Sequence, residues 1–113
     1  MTKELINMAA KRLSEEARAE YGDTLSRVFL FGSCARGDFD NESDIDMMIL
    51  LNVDQKSINH EMEKAISIAS RVGEEFDYEV LLSPVVQSED MFNKYLNVIP
   101  FYQNVMKEGV RYV

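Results

Sequence analysis

Two clusters of chemistry-bearing residues stand ten residues apart: Gly32-Ser33, and then Asp44-Ile45-Asp46. Carboxylates at i and i+2 on a strand point to the same face, with Cα atoms about 6.5 Å apart. Such a pair can hold a divalent cation between its oxygens. The glycine-serine turn offers backbone N–H groups and a hydroxyl, which suit a phosphate. Metal-dependent chemistry on a nucleotide is the reading that uses both clusters together.

Competing readings of the segment Gly32–Asp46 fail on particular residues. Gly32 and Gly37 have the G-x-x-x-x-G spacing of a P-loop, but Asp38-Phe39 stand where Lys-[Ser/Thr] must be. Asp38, Asp40 and Glu42 alternate as in an EF-hand, yet Ser43 replaces the required glycine and Ile49 the bidentate glutamate. A plain acidic surface loop accounts for Asp38, Asp40 and Glu42. It does not account for Asp44 and Asp46, which open a strongly apolar run where solvated charge is not needed.

The elements around these clusters follow from hydrophobic spacing. Thr2 caps a first helix with Leu5, Ile6, Ala9, Leu13 and Ala17 on one face, ended by Gly22-Asp23. Leu25–Phe31 is a strand leading into Gly32, a short helical turn follows Ser33, and about Asp44–Leu51 is a second strand. Ile58, Met62, Ala65, Ala69, Val72 and Phe76 form the stripe of a long amphipathic helix. Phe76–Ser83 reads as a third strand stopped by Pro84. Ser88 caps a short helix through Leu96, and Pro100 begins a last helix ending at Gly109. The expected fold is α/β (α+β), a small sheet with helices packed over one side.

Composition narrows the function classes. The 113 residues suit one domain, 1–113, with 46% hydrophobic and 28% charged residues as in globular proteins. No apolar run approaches the ~20 residues of a membrane span, and the N-terminus lacks a signal-peptide profile. One cysteine, Cys34, fits a reducing cytoplasm and excludes a disulfide framework. A net charge of −8 opposes bulk binding of nucleic acid, so an anionic nucleotide must be met by recruited cations. Cys34 and the single histidine, His60, make neither a nucleophilic pair nor a zinc site from sequence, and read as a packed small residue and a solvated helix residue. Phe92, Tyr95, Phe101 and Tyr102 are core candidates, with enough apolar surplus to form a partner surface.

Gly32-Ser33, ten residues, then Asp44-x-Asp46 resembles the signature of the DNA polymerase β-like nucleotidyltransferase superfamily. Ala35-Arg36-Gly37, Ser43–Asp46 and the segment Pro100–Gly109 are similar to its minimal nucleotidyltransferase branch, of the antitoxin type. The resemblance implies a mixed sheet with helices on one face. It implies that Gly32 allows close backbone approach, that Ser33 contacts the β- and γ-phosphates, and that Asp44 and Asp46 hold Mg²⁺. Arg36 is either a further phosphate ligand or a surface charge. A third carboxylate on the neighbouring strand would complete the metal site, with Asp77 and Glu79 as candidates and Glu79 better placed against the pattern. The implied chemistry is two-metal, in-line transfer of a nucleoside monophosphate, AMP from ATP, with release of pyrophosphate.

Larger relatives carry an added domain for their acceptor, so here a partner or the protein's own oligomer is expected to hold it. The resemblance points to a tyrosine of a HEPN-domain toxin. Two alternatives stand beside it: a catalytically weak antitoxin that neutralises such a partner by contact, and a transferase acting on a small hydroxyl compound such as an aminoglycoside.

Overall fold

A computed structural model describes residues 1–113. Helix α1 (Lys3–Tyr21) begins where the Thr2 hydroxyl accepts the Leu5 N–H at 3.1 Å. It buries Ile6, Ala9, Ala10, Leu13 and Ala17, the face its sequence spacing marks out. Strand β1 (Leu25–Phe31) runs into the one-turn helix α2 (Ser33–Arg36), and β2 (Ile45–Leu51) returns antiparallel beside β1. Helix α3 (Ile58–Glu75) then crosses to β3 (Leu82–Ser88), which lies parallel to β2. Helices α4 (Glu89–Tyr95) and α5 (Pro100–Glu108) follow, and a two-residue strand β4 (Val110–Arg111) closes the chain against β1. The mixed sheet has the order β3-β2-β1-β4.

Side chains alternate across a strand, so β1 and β2 feed two cores. Val28, Leu30, Ile45, Met47, Ile49 and Leu51 join α1 and α3 in the larger one. Phe29, Met48 and Leu50 join Phe92, Tyr102 and Val105 of α4 and α5 in the smaller one. Helices therefore cover both faces, where the sequence suggested one. The short helices are amphipathic too, and the sheet's second face is apolar enough to need them.

The third strand is displaced from its expected place. Residues 76–80 form a turn and a bend, not a strand. The N–H groups of Phe76, Asp77, Tyr78 and Glu79 turn back onto carbonyls of Val72, Gly73, Glu74 and Phe76, closing the end of α3. Asp77 and Tyr78 take left-handed conformations, with φ of 54° and 57°. The strand instead starts at Leu82 and passes through Pro84. The Ile45 N–H donates to the Leu81 carbonyl at 2.8 Å, so in the parallel ladder odd-numbered residues of β3 face β2 and even-numbered ones face the open edge. Pro84 has no N–H to donate, and on this edge none is needed. Its ring also blunts the edge against further strand pairing.

Candidate active site

The site lies where β1 ends and β2 begins, on the face covered by α5. Gly32 makes the turn between β1 and α2 with φ of 72°, a left-handed value that favours glycine. Its missing side chain leaves room for Asp46: a Cβ on residue 32 would stand 2.5 Å from the Asp46 Oδ2. Glycine is thus required twice, by backbone angle and by the carboxylate pressed against it. Ser33 follows as the first residue of α2, half-exposed, where a helix start leaves N–H groups without intrahelical acceptors. Phe31 pairs directly with Asp46 across the ladder.

Asp44 is exposed just ahead of β2 and Asp46 is half-buried at its second position. Burial, then the negative charge of Asp44, push the Asp46 carboxyl above the ordinary carboxylate range, and Arg36 pulls it partly back. Arg36 does not pair with either of them. Its Nε reaches Asp38 at 3.3 Å and its Nη1 reaches Glu108 of α5 at 3.4 Å. Exposed pairs of that length are weakly held, so a phosphate can displace them at little cost. Cys34 is buried behind the turn, its thiol donating to the Asp44 carbonyl at 3.3 Å. Burial raises the thiol, and the charge of Asp46 adds to it, so Cys34 is a packing residue that also fixes the loop.

Two adjacent carboxylates whose side chains have no ion-pair partner or hydrogen-bond donor, with Arg36 acting on Asp46 only from a distance, fit a divalent metal. No third His, Cys, Asp or Glu joins them in a metal-binding group. Asp77 and Glu79, expected on the neighbouring strand, lie in the exposed turn before it. The β3 residue paired with Asp46 is Ser83. Mg²⁺ is commonly held by one or two carboxylates together with substrate phosphates, and the donor set here suits that arrangement. His60 is exposed on α3, as read from sequence.

Beside Asp46, past Phe31 and Gly32, a cleft of about 190 Å³ runs between α2 and α5. Its far wall is Phe101, Asn104, Val105 and Glu108. Asn104 and Glu108 were not legible as site residues, because an amphipathic helix seventy residues downstream carries no local mark of what it faces. The similarity of Pro100–Gly109 to the family's C-terminal segment was the one available signal.

A sequence profile described as "Nucleotidyltransferase domain" matches residues 10–109. The chain belongs to this family. Among its relatives is "Putative protein adenylyltransferase MJ0604" of Methanocaldococcus jannaschii, 34% identical over 89% of this chain and 91% of that protein. "Putative protein adenylyltransferase MJ0141" of the same organism is 40% identical over 71% of this chain and 77% of its own length. A crystal structure of a "putative nucleotidyltransferase" from Sulfolobus solfataricus superposes with a TM-score of 0.63 at 22% identity, covering 96% of this chain and 80% of that one. A crystal structure titled "toxin-antitoxin with AMP-PNP" aligns with a TM-score of 0.54 at 18% identity, covering 91% and 72%. Both structures share the fold. The protein is a nucleotidyltransferase, with the mixed sheet the signature implied. No helix of this nucleotidyltransferase is long and apolar enough to cross a membrane.

Proposed function

We propose that this nucleotidyltransferase moves AMP from ATP to a hydroxyl acceptor, a tyrosine of a partner HEPN-domain toxin, with Mg²⁺ held by Asp44 and Asp46. The observation that carries the reading is the neighbouring carboxylates Asp44 and Asp46, without ion-pair partners, with Asp46 packed against Gly32. Ser33 and the start of α2 bind the β- and γ-phosphates, and Arg36 exchanges Asp38 and Glu108 for them. This orients the α-phosphorus toward the acceptor oxygen. That oxygen bonds to the α-phosphorus as the bond to pyrophosphate breaks, and the hydroxyl's proton passes to solvent water. Mg²⁺ held by Asp44 and Asp46 would supply charge stabilisation for the transfer. Positioning and electrostatics are the main needs of phosphoryl chemistry, and this small site offers both.

Support for a protein acceptor comes from two relatives named as protein adenylyltransferases. The toxin partner and ATP are drawn from the resemblance and from the solved toxin-antitoxin structure with AMP-PNP, which shares the fold. The test is co-expression with a HEPN-domain partner, followed by intact mass measurement. Mass increments of AMP on the partner, absent with Asp44→Ala, are expected. Equal modification by Asp44→Ala would overturn the reading.

One observation favours a second reading, a module that neutralises its partner by contact. The position opposite Asp46 is Ser83, so the carboxylate that would help deprotonate an acceptor is missing there. Neutralisation by Asp44→Ala with an unmodified partner is the outcome this reading requires.

A further inference from the structure

We infer that the cleft between α2 and α5 is the nucleobase subsite, with the Phe101 ring as its stacking platform and the Asn104 carboxamide as a hydrogen-bonding partner for a purine edge. The inference rests on the reading of Asp44, Asp46 and Ser33 as the phosphate and metal end of a nucleotide site.

Position is the first argument. Phe31 is the ladder partner of Asp46, and the cleft starts at Phe31 and Gly32. A second cavity along α2, lined by Ile6, Leu30 and Cys34, belongs to the opposite face of the sheet, so on the face of Asp46 this cleft is the one that adjoins phosphates held on the α2 turn. Size is the second. At about 190 Å³ the cleft is below the roughly 300–1,000 Å³ of pockets that enclose a whole drug-sized ligand. It suits one flat portion of a nucleotide, with the charged portion left outside on α2.

The lining is the third argument. Phe101 is 41% exposed, on a helix whose Tyr102 and Val105 are buried. Its ring is held edge-on by Phe31, with centroids 5.4 Å apart and planes at 73°, and is braced from behind by Tyr102 at 5.9 Å. An aromatic face so fixed is ready to accept a base without further ordering. Among the polar side chains of α5 near the cleft, Tyr102 is engaged by Gln87 and Glu108 by Arg36, which leaves Asn104 unpartnered. A carboxamide offers one donor and one acceptor side by side. That pattern matches the amino group and ring nitrogen of adenine and, turned over, the O6 and N1–H of guanine, so it suits a purine edge.

The test is titration calorimetry with Mg²⁺, comparing ATP, GTP and inorganic tripolyphosphate on the full chain. Phe101→Leu keeps the apolar contact with Phe31 and removes the π face. It is expected to weaken ATP binding about tenfold while leaving tripolyphosphate unchanged, and Phe101→Trp is expected to restore it. Asn104→Ala is expected to weaken ATP and GTP alike and to leave tripolyphosphate unchanged, and unchanged ATP and GTP binding would remove Asn104 from the subsite. If Phe101→Leu binds ATP as the parent does while Asp46→Asn does not, the subsite is overturned and the phosphate end stands. Parallel loss of ATP and tripolyphosphate in Phe101→Leu also overturns it, since that marks a structural role. A parent that binds none of the three ligands sinks the nucleotide reading and this inference together.

Discussion

Asp46 and Gly32 are packed so closely that the carboxylate occupies the space a side chain on residue 32 would need. Gly32→Ala therefore meets two penalties, a left-handed φ and displacement of Asp46. Gly37 is a built-in control: its φ is 91°, but a Cβ there would meet nothing within 4 Å. Alanine at position 37 is expected to cost about 1–2 kcal/mol of stability and leave nucleotide binding unaffected. Alanine at 32 is expected to cost more and to abolish ATP binding. Thermal melts and calorimetry on the two variants check this; equal behaviour would mean that the contact with Asp46 is unimportant.

Asp46 also makes the metal-free protein pH-sensitive in a stated direction. Its folded carboxyl titrates above the unfolded value because of burial and the neighbouring Asp44. Between those two values the folded state binds more protons than the unfolded one, so stability falls as pH rises through the window. Asp46→Asn removes that loss. Without metal, the variant is expected to melt higher than the parent at neutral pH, with the gain fading as pH drops below the ordinary carboxyl range. Adding Mg²⁺ and ATP is expected to raise the parent's melting temperature and not the variant's. Melting curves across pH with and without Mg²⁺ report both effects, and a gain that persists in acid would assign it to some other cause.

The smaller core, which sets α5 against the cleft, depends on Arg27. Its Nη2 lies 3.0 Å from Glu89 Oε1, with the two side chains 14% and 16% exposed. Its guanidinium sits over the rings of Phe29 and Phe92, and it also donates to Asn93 at 3.0 Å. Removing one partner leaves a largely buried charge unbalanced. Arg27→Ala is expected to cost about 3 kcal/mol, and adding Glu89→Ala is expected to cost less than the sum of the single changes. Urea titrations of the double-mutant cycle measure this; strict additivity would show that the pair is uncoupled.

How far the sequence reaches can be argued element by element. Helices α1 and α3 were legible from their period and strands β1 and β2 as short apolar runs, and Thr2, Ser88 and Pro100 mark the starts of α1, α4 and α5 as caps and breakers should. Residues 76–80 misled because Phe-Asp-Tyr-Glu-Val alternates like a strand, while its N–H groups are needed to close α3. Pro84 reads as a stop only if the strand is internal, and its place on the sheet edge is a tertiary fact. Strand β4 is two residues long and has no period at all. In the site, Gly32, Ser33, Asp44 and Asp46 were readable because one hairpin-like connection brings them together. Phe101, expected in the core, is instead at the mouth of a cleft whose other wall is formed by β1 and α2.

Ser83 gives the sharpest test of the metal arrangement, because the parallel register places it beside Asp46. Odd-numbered β3 side chains share the face of Asp46, and Ser83 is half-buried there. Ser83→Asp would put a third carboxylate within reach of the other two. Without metal, the added like charge is expected to lower the melting temperature. With Mg²⁺ the three acids become ligands, and binding is expected to tighten about tenfold as the site's negative charge increases. Glu79→Ala and Asp77→Ala, in the turn closing α3, are expected to leave Mg²⁺ affinity and transfer within about twofold, as for surface changes away from a site. Calorimetric Mg²⁺ titrations of the three variants decide it. A large loss in Glu79→Ala would bring that side chain into the metal site, and an unchanged Ser83→Asp would place the cation away from β3.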